Sequence, residues 1–257
     1  SRKANVGQPY FGFDAPWLVT TDYKYDLDNK KVKVDTANNK GMFAYGGLRM
    51  GGEAFYGMDI TNKADPKILF SITADGRNED DSTEKRFTRL GQIWSKPIAA
   101  KIGWRENQAP RDVLIFGGGY DMAYEDDSYV ATSDNPAKGN AIYMIDAKTG
   151  SLLWSTSGEK GVARNTETPQ MIHSITGEIT ALDRDNDGLV DHIYAADLGG
   201  QVFRADFENA RPARFNLLAV DSFSNKRVVR VLDASSGIDS KYSYRFYERP
   251  VVSFYRS

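Results

Sequence analysis

The chain has 257 residues, with 33 Lys+Arg against 35 Asp+Glu, a formal net charge of -2, no cysteine and only two histidines. The charge balance removes the global basic field of a general nucleic-acid binder, and the missing thiols exclude disulfides, zinc ribbons and haem attachment within this chain. No run approaches the ~20 apolar residues of a membrane-spanning helix, and no leader pattern follows Ser1, so any export signal is expected upstream of it.

Helical periodicity is almost invisible along the chain, and short apolar runs alternate instead with Gly, Asn and Asp clusters, the pattern of an all-β protein. Lys24 to Val34 reads as a hairpin with an Asn-containing turn. Met42-Phe43-Ala44-Tyr45 follows and runs into Gly46-Gly47; Tyr56 and Asp59 come next, then a turn at Asn62 and the strand Ile68-Leu69-Phe70. A polar insertion at 74–91 carries Asp75, Glu79, Asp80, Asp81 and Glu84 and is expected to be a solvated loop.

The same order then returns. Lys96 to Ile102 and Val113-Leu114-Ile115-Phe116 are strands, the latter ending in Gly117-Gly118-Gly119. An insertion at 122–138 carries Glu125, Asp126, Asp127 and Asp134; beyond it stand Tyr143 and Asp146, the turn Thr149-Gly150 and the strand Leu152-Leu153-Trp154. Met171-Ile172-His173-Ser174 looks strand-like. In the third unit Glu178 to Leu182 and His192-Ile193-Tyr194-Ala195 precede Gly199-Gly200; then come Phe203 and Asp206, a turn at Asn209 and an apolar run from Phe215 to Leu218.

Four strands per unit, repeated three times, read as β-propeller blades, the glycine clusters serving crowded strand ends and each Asp capping the next turn. The aromatic markers lie 87 and then 60 residues apart, longer than the ~40–50 of common blades, and the two insertions account for the excess. The blades are placed at 1–73, 92–157 and 158–220, with 221–257 starting another. Arg249 to Tyr255 reads as that blade's first strand. Since propellers close with ~4–8 blades, about three and a half is an incomplete portion of one propeller domain.

The most specific local signal is Asp183-Arg184-Asp185-Asn186-Asp187-Gly188-Leu189-Val190-Asp191. Carboxylates at Asp183, Asp185, Asp187 and Asp191, with the Leu189 carbonyl between, form an all-oxygen donor set suited to Ca²⁺ rather than to a soft metal. Gly188 permits the sharp turn of an EF-hand-like loop, but the twelfth position is Tyr194 instead of Glu and the flanks read as strands. A β-hairpin calcium site is therefore expected. Asp26-Leu27-Asp28-Asn29 is a weaker version, broken at Lys30.

Three blocks in this order resemble the C-terminal propeller of PilY/PilC-type pilus biogenesis and tip-adhesin proteins. They are Gly46 to Phe70, Leu90-Gly91-Gln92-Ile93-Trp94-Ser95-Lys96-Pro97, and the acidic loop joined to Ile193 through Asp206. The resemblance implies a quinoprotein-dehydrogenase-like modified propeller and a non-enzymatic, exported protein at the tip of type IV pili on the bacterial cell surface. It also implies support for pilus extension, twitching motility and adhesion, with major or minor pilins and a host or abiotic surface as partners. The family's calcium ligands fall on Asp183, Asp185, Asp187, Leu189 and Asp191. No Arg-Gly-Asp tripeptide occurs.

Two other classes compete. A quinoprotein-dehydrogenase-like enzyme fragment would share the Trp-containing strands, but Trp94, Trp104 and Trp154 are expected to pack between blades, and the adjacent cysteines of many such sites are missing. A carbohydrate- or protein-binding propeller would use exposed aromatics such as Tyr242, Tyr244 and Phe246. A hydrolase would have to employ His173 or His192, both expected to be structural, and no nucleophile elbow or phosphate-cradling loop is present.

Overall fold

The computed structural model describes residues 11–77, 86–213, 218–239 and 242–253. In chain order the strands are β1 (Leu18–Thr21), β2 (Tyr23–Asp26), β3 (Lys31–Val34), β4 (Met42–Gly47), β5 (Ala54–Asp59), β6 (Lys67–Thr73) and β7 (Gly76–Arg77). Then come β8 (Ile98–Ile102), β9 (Arg111–Gly117), β10 (Ala141–Asp146), β11 (Leu152–Ser157) and β12 (Asn165–Glu167). The last group is β13 (Thr180–Leu182), β14 (His192–Ala196), β15 (Gln201–Glu208) and β16 (Ser224–Asp233). No α-helix occurs among the described residues.

Three sheets succeed one another along the chain, ordered β1-β4-β5-β6-β7, β8-β9-β10-β11-β12 and β13-β14-β15-β16, and they form an open, partial propeller. Neighbouring strands are antiparallel except β11 and β12, which run parallel. The β2–β3 ribbon stands apart as the hairpin expected at Lys24 to Val34. Its turn is fastened by the Asn29 N–H on Asp26 Oδ1 at 3.2 Å and by Lys33 Nζ on Asp26 Oδ2 at 2.7 Å.

The middle sheet explains why its strands read as unbroken apolar runs. Side chains alternate across a strand, and here both faces are covered. Leu114, Phe116, Tyr143 and Ile145 enter a core shared with Phe43, Tyr45, Phe55 and Phe70 of the first sheet. Val113, Ile115, Ile142 and Met144 enter a second core with Ile193, Phe203, Ala205 and Phe207 of the third. Trp154 of β11 meets Phe207 of β15 edge to face at 4.9 Å, and Trp104 stacks with Phe223 at 6.1 Å. Both tryptophans thus bridge the second and third sheets, while Trp94 stacks on Tyr120 at 4.4 Å.

The glycine clusters sit where backbone meets backbone. A Cβ on Gly118 would lie 2.7 Å from the Gly139 carbonyl oxygen, and one on Gly139 would collide with the Gly119 carbonyl. Gly139 also holds φ +74°, a conformation other residues adopt at a cost.

Several expectations need correction. The outer strand of the third sheet is β16, paired with β15 from Gln201↔Asp233 to Glu208↔Ser224, so this part of 221–257 completes the third sheet rather than starting another. Of the run from Phe215 to Leu218, only Leu218 is among the described residues, and it is exposed. β12 lies within the range assigned to the third blade but adds to the second sheet. Met171 to Ser174 is not a strand: its carbonyls at Met171 and Ile172 accept from Asn140 Nδ2 and the Ala137 N–H.

In the 122–138 insertion the acidic side chains are solvated, yet the segment is anchored. Tyr124 packs on Tyr120 and Tyr129, and Arg89 donates to the Pro136 and Ala137 carbonyls. In the other insertion, Glu79, Asp80, Asp81 and Glu84 lie outside the described residues, as do Phe254 and Tyr255 of the tail.

Candidate metal centre

Asp183 to Asp191 is the connection between β13 and β14, whose last pair is Leu182↔His192. The hairpin ends are held from outside the loop: the Val190 N–H donates to the Lys101 carbonyl and the Phe207 N–H to the Asp191 carbonyl. Buried Asn209 ties the same corner to the second sheet, donating to the Val190 carbonyl at 3.1 Å and accepting the Gly103 N–H at 3.0 Å. Asn209 is expected as a turn residue from its neighbours, and this long-range role has no local signature.

Asp183, Asp185 and Asp187 come together, each offering an oxygen within 4.8 Å of the others. Backbone donors organise them: the Asp187 N–H reaches Asp183 Oδ1 and Asp185 Oδ1 at 3.2 Å each, and the Gly188 N–H reaches Asp183 Oδ2 at 2.8 Å. Two left-handed residues, Asn186 at φ +61° and Gly188 at φ +87°, make the turn that brings these groups inward. Burial, followed by repulsion from Asp185, Asp191 and Asp183, pushes the Asp187 carboxyl above its ordinary value, although the Leu189 N–H opposes this.

Asp191 stands outside this trio: its Oδ2 accepts the Arg184 N–H at 2.8 Å, closing the loop base. Leu189 contributes its N–H to Asp187 Oδ1 at 2.8 Å. Tyr194, at the position where an EF-hand carries Glu, lies in β14 with the Arg204 guanidinium over its ring at 5.9 Å. The donor set is all oxygen and anionic, which fits a hard cation such as Ca²⁺.

Beside the loop is a cavity of about 510 Å³ lined by Asp185, Asp187, Asp191, the Phe207 to Arg211 segment and Lys226. Glu208 in its wall is paired with Arg211 and Lys226. None of these residues has a local sequence signature: Glu208 and Arg211 lie at and beyond the end of β15, and β16 carries Lys226 to the site from a segment expected to belong to another blade.

The strand-end aspartates divide. Asp59 accepts the Thr61 N–H at 2.9 Å, and Asp146 accepts those of Lys148 and Thr149, as expected of turn caps. Asp206 lies inside β15, which continues to Glu208, and instead binds His192 Nδ1 at 2.7 Å with Arg204 and Arg227 at 2.5 Å each. Burial raises its carboxyl, but the two guanidinium bonds more than offset this and hold it below the ordinary value. His173 is also engaged, its Nδ1 3.1 Å from Tyr124 Oη, and burial lowers its pKa to about 4.

Successive, mainly antiparallel sheets packed face to face through two cores, with an acid-rich hairpin at one corner, define a β-propeller segment. Residues 17–232 match the PilY1 beta-propeller domain, and the chain belongs to that family. It is similar to the type IV pilus biogenesis factor PilY1 homolog of Xylella fastidiosa, at 25% identity over 70% of this chain and 11% of the relative. It is also similar to the type IV pilus biogenesis factor PilY1 of Pseudomonas aeruginosa, at 28% identity over 63% of this chain and 11% of that protein. The chain therefore matches about one ninth of the length of these relatives. The crystal structure of the P. aeruginosa PilY1 C-terminal domain aligns with a TM-score of 0.47 and 21% identity, over 76% of this chain and 30% of that one.

Proposed function

We propose that this chain is a calcium-binding, non-enzymatic module of a type IV pilus biogenesis factor. In this reading it works at the bacterial cell surface, at the pilus tip, against major or minor pilins, and supports extension, twitching motility and attachment to a host or abiotic surface. The observation that carries the calcium assignment is the convergence of Asp183, Asp185 and Asp187 in a hairpin of a PilY1-family propeller. Asp183, Asp185, Asp187 and Asp191, with the Leu189 carbonyl, would hold the ion. Ca²⁺ would neutralise carboxylates that otherwise repel one another and would fix the loop. The non-enzymatic reading is supported by the engagement of both histidines in structural contacts, His173 with Tyr124 and His192 with Asp206.

Calorimetric titration of Ca²⁺ into the wild-type chain and into Asp185→Ala tests the ligand set. A single wild-type site weakened at least tenfold in the variant is expected, and equal uptake by the two would defeat it. The same substitution in the full-length protein of a piliated host should reduce surface pili and the twitching zone; unchanged motility would separate the ion from the pilus role.

A further inference from the structure

A second cavity, of about 360 Å³, lies where the repeated units converge. Pro16, Lys96 and Glu178 line it, and each stands two positions ahead of the first strand of its sheet, at Leu18, Ile98 and Thr180. It shares no lining residue with the cavity beside the acidic loop. Its size falls within the ~300–1,000 Å³ of small-molecule sites.

The wall holds polar groups with unmet demands. Arg49 and Lys96 have no carboxylate partner among the described residues. The Arg49 guanidinium lies over the Trp94 ring at 5.1 Å, and Tyr120 backs the same indole, so the cation rests on a fixed aromatic stack. The Arg49 backbone is held as well, its N–H on the Ile93 carbonyl at 3.1 Å and its φ at +51°. Thr176 is 4% exposed, and its hydroxyl has no hydrogen-bond partner among the described residues. Such a group costs stability unless something satisfies it. Glu248 is unpaired among the described residues, whereas Glu178 faces Arg249 at 3.8 Å. Tyr247, 47% exposed, supplies an apolar ring at the rim.

We propose that this cavity binds an acidic sugar unit, one ring carrying a carboxylate and several hydroxyls. Arg49 and Lys96 take the carboxylate, Arg49 through its two-pronged face. Glu248 and Thr176 serve hydroxyls, and Tyr247 covers the apolar face of the ring. A neutral sugar would leave both cations unmatched; a bare carboxylate would leave Thr176, Glu248 and Tyr247 without a role. The inference goes beyond the calcium reading and does not depend on it.

The test is titration of the full chain with D-glucuronate, D-glucose and acetate, read from chemical-shift changes of the Trp94 indole and the Thr176 amide. Saturable glucuronate binding is expected, with glucose and acetate at least tenfold weaker. Arg49→Gln and Lys96→Gln should each weaken glucuronate at least tenfold at an unchanged melting temperature. Lys96 is exposed, so its variant decides the matter if Arg49→Gln folds poorly. Asp185→Ala should leave glucuronate binding intact, which separates this site from the calcium loop. Acetate binding as tight as glucuronate, glucose binding as tight as glucuronate, or no saturable glucuronate binding would each overturn the proposal.

Discussion

Phe55 of the first sheet and Phe116 of the second lie face to face, with ring centroids 4.3 Å apart, planes inclined by 4°, and both side chains fully buried. This stack joins two sheets that share no hydrogen-bonded strand pair. Phe116→Ala removes one ring and leaves a cavity, a change that costs ~3–5 kcal/mol in well-packed cores. Urea unfolding should show that loss, with Phe116→Leu costing less. A loss below ~1 kcal/mol would mean that the neighbouring side chains refill the space.

Gly139 and Gly161 separate two costs of replacing glycine. Both are left-handed, at φ +74° and +68°, but Gly161 faces open space whereas a Cβ on Gly139 runs into the Gly119 backbone. Gly161→Ala should cost only the conformational penalty of ~1–2 kcal/mol. Gly139→Ala should cost clearly more, because backbone must move. Equal melting temperatures for the two variants would refute the crowding argument.

Asp197 and His173 give the protein two opposed pH dependences. Asp197 is fully buried, and burial pushes its pKa from 3.8 to about 7 despite N–H donors from Gln201 and Gly199. A raised carboxyl means that the native state holds the proton longer, so stability falls as pH rises from about 4 through 7. Burial lowers His173 from 6.5 to about 4, so its contribution falls as pH drops through that interval. The two slopes overlap and offset each other between about 4 and 6.5. Asp197→Asn removes the first slope, and the variant's urea midpoint should then rise with pH across that interval more steeply than wild type. Parallel profiles would show that Asp197 does not titrate there.

Calcium should shift stability by mass action. At a free concentration 100 times the dissociation constant, one site adds ~2.7 kcal/mol, read as a rise in melting temperature that a chelator reverses. Asp185→Ala should cut the rise at least by half while leaving the calcium-free protein nearly as stable, since Asp185 is exposed and the Asp187 N–H it accepts is also held by Asp183. Asp191→Ala should destabilise even the calcium-free loop, because Asp191 holds the Arg184 N–H. Equal calcium-free stabilities of the two variants would remove that distinction.

Local chemistry made much of this legible in the sequence. The Val113 to Phe116 strand and the Asp146 turn cap each follow from adjacent residues and form as read, and the nine-residue acidic stretch connects two paired strands and gathers Asp183, Asp185 and Asp187. Features depending on distant pairing were not legible. β16 starts 16 positions after β15 ends, with the apolar run from Phe215 to Leu218 nearer in sequence, so adjacency alone points to the wrong partner. Lys226 reaches the loop's corner only through that pairing, whereas Glu208 and Asn209 arrive there from the end of β15, which pairs with β14. Asp206 resembles the other two marker aspartates in sequence, but its strand runs two residues further and turns a cap into a charge cluster.

The middle sheet works as a keystone. Leu114 and Ile115 are neighbours in sequence, yet they press on different flanking sheets. A methyl group gained or lost at adjacent positions of β9 is therefore felt on opposite sides, and a pair of such changes cannot compensate within a single cavity. Sequence drift should be narrowest there, and amide exchange in β9 and β10 slowest.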